Sequence, residues 1–249
     1  MTLNISSPNL RKTSRFITKA KREHVENLTV VIPAAGPGTR MKLHGPKCLL
    51  KYKGETLLQR QIRTIREVYE NADIVVVVGF EWKKVVNSLW PQVRFVINEQ
   101  YETTNVAKSI VLGLQATQKS NLLVMYGDLI YDSQILEKIP YNSSYVMYEN
   151  SGHFKDSEVG IAYDKNRCTN LAYSLKSKWC QMIYVNSDGY YDFVSQFLNH
   201  STNMMFGYEV LNKMIDGGYP LQVRHNESYF VKDIDTIQDY TALESQPVK

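Results

Sequence analysis

The segment Thr29-Val-Val-Ile-Pro-Ala-Ala-Gly-Pro-Gly-Thr-Arg-Met41, with Pro46-Lys47 close behind it, decides how this chain is read. An apolar strand runs into a turn with almost no side-chain bulk, and from there into a paired arginine and lysine. Small residues at Ala34, Ala35, Gly36 and Gly38 let backbone N–H groups approach an anion closely. Arg40 and Lys47 supply the positive charge that a triphosphate needs. The bland alternative is a tight strand-to-helix turn with two surface cations. The spacing is not that of a P-loop, and Arg40-Met41 stand where the dinucleotide fingerprint needs its last glycine. Pro37 removes one N–H donor from the cradle.

Outward from this turn, apolar segments of two kinds alternate. Residues 28–34 form a short continuous apolar run, as expected of a buried parallel strand. Leu57, Leu58, Ile62, Ile65 and Val68 recur at helical spacing within 55–69. Strands are predicted at 73–79, 93–98 and 121–126, with helices at 81–89 and 106–116 between them. This βαβαβαβ order implies an α/β fold with a doubly wound, mostly parallel Rossmann-like sheet and right-handed crossovers. Ligands of such sheets sit beyond the carboxyl ends of the strands, so the 35–40 loop and the residues after Tyr126 should face one another.

Asp128 ends the strand 121–126, where a buried charge is costly unless it is paired or metal-bound. A helix N-cap or turn role is the alternative, although Asp132 suits that role better because it precedes the predicted helix 134–138. One carboxylate holds magnesium poorly beside several phosphates. A second is offered by Val231-Lys-Asp-Ile-Asp235, whose alternation puts Asp233 and Asp235 on one face of a short strand before a terminal helix at 236–243. Asp235 would also make a good helix start. Asn105 and Ser109 lie four residues apart at a helix start, on one face, where short polar side chains can read the edge of a base. N-capping by Thr104 or Asn105 explains them equally. Gly79 ends its strand where a base or ribose would approach, and a plain turn glycine explains it as well.

Ala34-Ala35-Gly36-x-Gly38-Thr39-Arg40-Met41 followed by Pro46-Lys47 resembles the signature of the nucleotidyltransferases that join a nucleoside triphosphate to a phosphorylated small molecule. The ending Val231 to Tyr240 resembles that of the sugar-phosphate nucleotidyltransferases and the CTP:phosphocholine cytidylyltransferases. The resemblance implies the fold of nucleotide-diphospho-sugar transferases, similar to that of GT-A glycosyltransferases, with an acceptor-binding insertion. It implies nucleotide binding at Ala34, Ala35, Gly36, Gly38, Thr39 and Gly79, catalysis by Arg40 and Lys47, and Mg²⁺ held by Asp128 and Asp235. Asp233 is the rival to Asp235, and Asp239 falls within the helix. The pattern Tyr101-x-x-x-Asn105-x-x-x-Ser109 resembles that of the phosphocholine enzymes and favours CTP. The implied reaction is in-line attack of an acceptor phosphate on the α-phosphorus, with Arg40 gripping the leaving pyrophosphate and Lys47 stabilising the α-phosphoryl group.

The chain also departs from these groups. Only Lys42-Leu-His-Gly45 separates Arg40-Met41 from Pro46-Lys47, a spacing closer to methylerythritol-phosphate cytidylyltransferase and the N-acetylglucosamine-phosphate uridylyltransferases. Yet no His-Asp-Ala-Ala-Arg pattern and no left-handed hexapeptide repeat is present. A glycosyltransferase would carry an Asp-x-Asp, which Asp128-x-x-x-Asp132 is not. A non-catalytic nucleotide-binding protein would keep the cradle without needing both carboxylates.

Length and composition set the remaining bounds. The 249 residues suffice for one domain, read as 27–245, and the family resemblance implies that its portion at about 140–220 binds the acceptor. That portion carries predicted strands at 145–148, 160–163 and 181–184 and helices at 191–198 and 205–215, with Trp179, Tyr184 and Tyr190 as candidate acceptor contacts and Glu209 as a fourth that the resemblance to the cytidylyltransferases implies. Aromatic rings with an acid suit an ammonium-bearing acceptor, and core packing explains the same rings. Residues 1–26 are a basic extension, a targeting peptide or a loosely docked tail. The net charge of +4 supports no nucleic-acid partner, and no apolar run is long enough to span a membrane. Three cysteines without metal-ligand spacing suit a reducing, cytoplasmic setting. A homodimer is compatible with the chain but not required by it.

Overall fold

The computed structural model describes residues 27–38, 45–137, 139, 142–150, 155–226 and 230–244. The basic segment 1–26, Thr39 and Arg40 therefore lie outside the described residues. The first strand, β1 (Leu28–Ala34), is buried almost throughout. Its residues alternate between two cores, Val30 and Ile32 facing one and Val31 the other. A sheet covered on both faces explains why the segment reads as a continuous apolar run.

After the loop, β2 (Lys51–Tyr52) and β3 (Glu55–Thr56) form a small hairpin. Lys53 and Gly54, both at positive φ, make its two-residue turn. Thr56 and Gln59 cap α1 (Leu57–Val68) reciprocally, the Gln59 N–H donating to Thr56 Oγ1 and the Thr56 N–H to Gln59 Oε1. The apolar stripe of α1 buries Leu58, Ile62, Ile65 and Val68 in the first core. There follow β4 (Asp73–Val78), α2 (Trp82–Leu89), β5 (Arg94–Ile97), α3 (Val106–Gln115) and β6 (Asn121–Met125). The strands run parallel in the order β5-β4-β1-β6, the expected Rossmann-like half.

The second half of the chain adds β7 (Leu129–Tyr131), α4 (Gln134–Glu137), β8 (Tyr145–Glu149), β9 (Val159–Asp164), β10 (Arg167–Tyr173), β11 (Lys178–Val185), α5 (Tyr190–His200), α6 (Gly207–Asp216), β12 (Gln222–His225), β13 (Val231–Asp233) and α7 (Ile237–Glu244). Strand β11 joins β6 antiparallel and extends the sheet to nine strands, β5-β4-β1-β6-β11-β8-β12-β10-β9. Among the described residues of this half only β12 and β8 pair in parallel, so the sheet is parallel on one side and mixed on the other. Helices α3, α5 and α6 pack on the second core, opposite α1 and α2. A third, small core of Leu50, Leu57, Ile130, Ile234 and Leu243 seats α7. Beneath it β7 and β13 pair antiparallel, Asp233 opposite Leu129.

Candidate active site

The carboxyl ends of β1 and β6 open into a cavity of about 510 Å³, within the size range of small-molecule sites. Its near side is the loop leaving β1, from Ala34 to Gly38. Gly38 has φ +58°, and a Cβ there would lie 2.8 Å from Lys47 Cγ. The stem of Lys47 therefore rests directly against the loop. Lys47 opens a short 3-10 turn, Lys47–Leu49, entered through Pro46. Gly79 does not line the cavity. A Cβ there would lie 2.7 Å from Ala35 O, and the neighbouring Phe80 N–H donates to that same oxygen at 2.9 Å. Its lack of a side chain makes room for the loop rather than for a base.

The ammonium of Lys47 lies between two carboxylates, 2.6 Å from Asp235 Oδ1 and 3.4 Å from Asp128 Oδ2. Backbone geometry brings the acids together across more than a hundred residues. Asp128 occupies the turn between β6 and β7, and its carbonyl accepts from the Ile234 N–H at 3.1 Å. Strand β13 thereby delivers Asp235 beside it. Asp235 does not cap α7, because Thr236 and Asp239 cap one another there and Asp239 also pairs with Lys155.

The Asp128 side chain is one-fifth exposed, and its Oδ1 is buried without a hydrogen-bond partner among the described residues. Burial pushes its pKa up to about 6; Lys47 pulls it down, and Asp235 and Asp233 add to the rise. For Lys47, burial opposes the charge, but Asp128 and Asp235 outweigh it and hold the pKa above the ordinary lysine value. Two acids meeting at one cation, with an orphaned carboxylate oxygen, fit a magnesium ion, which takes one or two carboxylates and completes its shell with phosphates and water. Among the described residues no group of three or more His, Cys, Asp or Glu side chains forms an all-protein metal cage.

Next to the loop, Asn98, Tyr101, Asn105 and Ser109 line the cavity at the start of α3. Asn105 caps the helix, its side chain accepting from the Val106 N–H at 2.8 Å. Ser109 is buried and accepts from Asn98 Nδ2 at 3.2 Å, so Asn98, which sequence reasoning missed, belongs to this wall. Its signal is a buried polar residue closing a strand.

The opposite wall carries Trp179, Tyr126, Tyr173, Phe206 and Tyr208. Behind them Lys178 is buried between Asp233 Oδ1 at 2.6 Å and Glu158 Oε1 at 3.0 Å. Burial opposes its charge, yet the two acids raise its pKa above the ordinary value. Gln181, at φ +55° where the β11–β8 register shifts, donates to Asp233 Oδ2 at 3.0 Å. Bulges re-aim side chains beside functional sites, and this one turns an amide toward the cavity wall. The sequence offers little sign of it.

Three residues expected at the acceptor end lie elsewhere. Tyr184 is fully buried in the first core and donates to Asn121 Oδ1 at 3.1 Å. Tyr190 is buried against α3, with its hydroxyl 2.6 Å from Thr117 Oγ1. Glu209 caps α6 by accepting from the Phe206 N–H at 2.6 Å. Core packing and helix capping account for all three. Trp179 does line the cavity.

Comparison with known proteins agrees with this architecture. Residues 30–153 match the family model for the MobA-like NTP transferase domain. The bifunctional protein GlmU of Solibacter usitatus is 40% identical over 104 residues, covering 41% of this chain and 22% of that protein. GlmU of Methanococcus vannielii is 27% identical over 240 residues, covering 83% of this chain and 56% of its own. The chain thus spans between about a fifth and about half of the length of these relatives. Among solved structures, the CTP:phosphocholine cytidylyltransferase of Streptococcus pneumoniae superposes with a TM-score of 0.73 at 20% identity, covering 88% of this chain and 98% of that one. The inositol-1-phosphate CTP transferase of T. maritima gives 0.67 at 18%, covering 87% and 94%. At those identities the likeness is one of fold. The loop, its following lysine, the strand order and the domain match together make this chain a member of the nucleotidyltransferase superfamily, with residues 30–153 carrying its MobA-like NTP transferase domain.

Proposed function

We propose that the protein transfers a nucleoside monophosphate, CMP in preference, from a nucleoside triphosphate to a phosphorylated small molecule, with Mg²⁺ and release of pyrophosphate. The observation that carries this reading is the meeting of Lys47, Asp128 and Asp235 at the mouth of the Ala34–Gly38 loop. A triphosphate on the loop brings its α-phosphorus toward Lys47, with the base against Asn105 and Ser109. The acceptor enters along the wall of Trp179, Tyr173 and Tyr208, whose rings, beside Glu158 and Asp233, suit an acceptor bearing an ammonium group.

An acceptor phosphate oxygen attacks the α-phosphorus in line; the new P–O bond forms as the bond to the β-phosphate oxygen breaks, and pyrophosphate leaves. No general base is required, because a phosphate is already ionised at pH 7. Bringing two anions together is the main barrier, and Lys47 lowers it by placing an ammonium on the crowded α-phosphoryl group. Asp128 and Asp235 would hold a magnesium ion, which would supply further neutralisation of phosphate charge. Arg40, by the family resemblance, would grip the leaving pyrophosphate.

The CTP preference rests on Asn105 and Ser109, and two of the structural neighbours are named as CTP-using transferases, while a third is named as a thymidylyltransferase. The reaction suits a cytoplasmic protein, and no helix among the described residues is long and apolar enough to cross a membrane. The test is pyrophosphate release from each of the four common nucleoside triphosphates with Mg²⁺, against sugar 1-phosphates, phosphocholine, aminoethylphosphonate and methylerythritol phosphate. Release confined to CTP and one acceptor class is expected. Saturable nucleotide binding with no release from any pair favours a binding protein, and sugar transfer from a nucleotide-sugar favours a glycosyltransferase.

A further inference from the structure

Helix α1 buries two polar residues, Thr64 and Gln61, and Gln61 is the more deeply buried of the two. Gln61 is 1% exposed and stands beside Leu58, Ile62 and Ile65. Its amide nitrogen reaches out of the core to donate to Tyr126 O at 3.1 Å and Leu129 O at 2.8 Å. Those two carbonyls bracket the turn Tyr126-Gly127-Asp128-Leu129, so a single side chain clamps both ends of the segment that presents Asp128. The turn's own closing bond, from the Leu129 N–H to Tyr126 O, is long at 3.4 Å. Other ties reach neighbouring elements: the Gly127 N–H donates to Pro33 O at 3.2 Å, and Asp128 O accepts from Ile234.

The other end of Gln61 is costly. Its Oε1 is buried with no hydrogen-bond partner among the described residues. The amide orientation is forced, because both facing groups are carbonyls that can only accept. A stranded buried acceptor forfeits its hydration without gaining a partner, and an apolar residue of equal length would avoid that cost. The two bonds to Tyr126 O and Leu129 O offset that cost, so what distinguishes glutamine from an apolar residue here is its hold on the Asp128 turn.

We propose that Gln61 is a positioning residue that fixes Asp128 for its cation, a role that rests on the reading of Asp128 and Asp235 as the metal ligands. Partners of metal ligands typically change affinity or activity by about 10–100-fold when removed. Gln61 acts one step further back, through backbone carbonyls, so the lower end of that range is expected.

The test is the affinity for Mn²⁺, read by the electron spin resonance of the free ion, in the intact chain, Gln61→Met, Asp128→Asn and the double variant, with thermal melting of each. Gln61→Met is expected to weaken Mn²⁺ binding about tenfold, while its melting temperature stays near that of the unmodified chain because losing the stranded Oε1 offsets the two bonds lost at Tyr126 O and Leu129 O. The double variant should bind no more weakly than Asp128→Asn alone, since both changes act on one ligand. Unchanged affinity in Gln61→Met, or additive losses in the double variant, would overturn the proposal. Should Gln61→Met fail to fold, Gln61→Asn, which keeps an amide but withdraws it from the two carbonyls, must show the same loss. If Asp128→Asn itself leaves Mn²⁺ affinity unchanged, the metal-site reading fails and the role of Gln61 goes with it.

Discussion

Replacing Asp128 with asparagine should stabilise the ligand-free protein while removing its activity. Burial, reinforced by Asp235 and Asp233 and opposed by Lys47, lifts the carboxyl from its ordinary value of 3.8 to about 6. The folded chain thus holds the Asp128 proton more tightly than the unfolded chain. The stability this proton contributes is full below pH 3.8 and is lost as pH rises through 6. At about 1.4 kcal/mol per unit, ionised Asp128 costs the fold about 3 kcal/mol at pH 8, roughly half of that at pH 5 and little at pH 4. Asparagine keeps the shape and never ionises. Asp128→Asn should therefore gain about 3 kcal/mol at pH 8, or roughly 6–12 °C in melting temperature for a chain of this size, and little at pH 4. Lys47 keeps its 2.6 Å contact with Asp235 and is not stranded by the change. Urea denaturation at pH 4, 5 and 8, without divalent ions, reads the effect directly. Adding Mg²⁺ and CTP should stabilise the unmodified chain and not the variant, by mass action on the folded state. A variant less stable at pH 8, or a difference that does not change with pH, would refute the assignment of Asp128 as an acid held at a cost in stability.

Other consequences follow from the same geometry. Lys47→Ala should lower kcat by about two to three powers of ten, the loss seen on removing one electrostatic donor, and near-normal turnover would remove the lysine from the mechanism. Lys178→Met leaves Asp233 and Glu158 without their shared cation; because Glu158 is partly exposed, we expect a loss of roughly 3 kcal/mol in denaturant unfolding, and a loss under 1 kcal/mol would mark the cluster as a surface pair. Asn105→Ala should cost about 1 kcal/mol as a lost helix cap, read by thermal melting, and should also narrow the preference for CTP over UTP in competition assays. An unchanged preference would leave Asn105 with the cap alone.

The parallel half of the sheet was legible because its strands are buried on both faces, so β1, β4 and β6 read as apolar runs and only their ends shifted by a residue or so. The mixed half was harder. Strand β10, Arg-Cys-Thr-Asn-Leu-Ala-Tyr, and β12, Gln-Val-Arg-His, have too few apolar residues to announce themselves, and pairing with distant partners makes them strands. Within the site, Lys47, Asp128 and Asp235 were readable because an ionisable group beside a glycine-rich turn or an apolar strand needs a reason. The tyrosines were not, since one side chain suits a core and a pocket equally. The period of two in β11 does hold the answer for Tyr184, setting it on the face opposite Trp179, with Cys180 and Met182 in the first core. Glu209 sits three residues after the residue that precedes α6, the position of a helix cap. Lys178, Gln181 and Tyr173 went unread because a bulge and a long-range ion cluster decide their roles, and neither has a local pattern.

The most direct test of the account follows phosphorus itself. ³¹P resonance of the protein with Mg²⁺, CTP and the acceptor selected by the release assay should show the α-phosphorus entering a new diphosphate linked to the acceptor while free pyrophosphate appears in equal amount, with neither signal from Asp128→Asn or Asp235→Asn. Release of orthophosphate from the γ-position instead, or an unchanged CTP spectrum despite bound nucleotide, would contradict it.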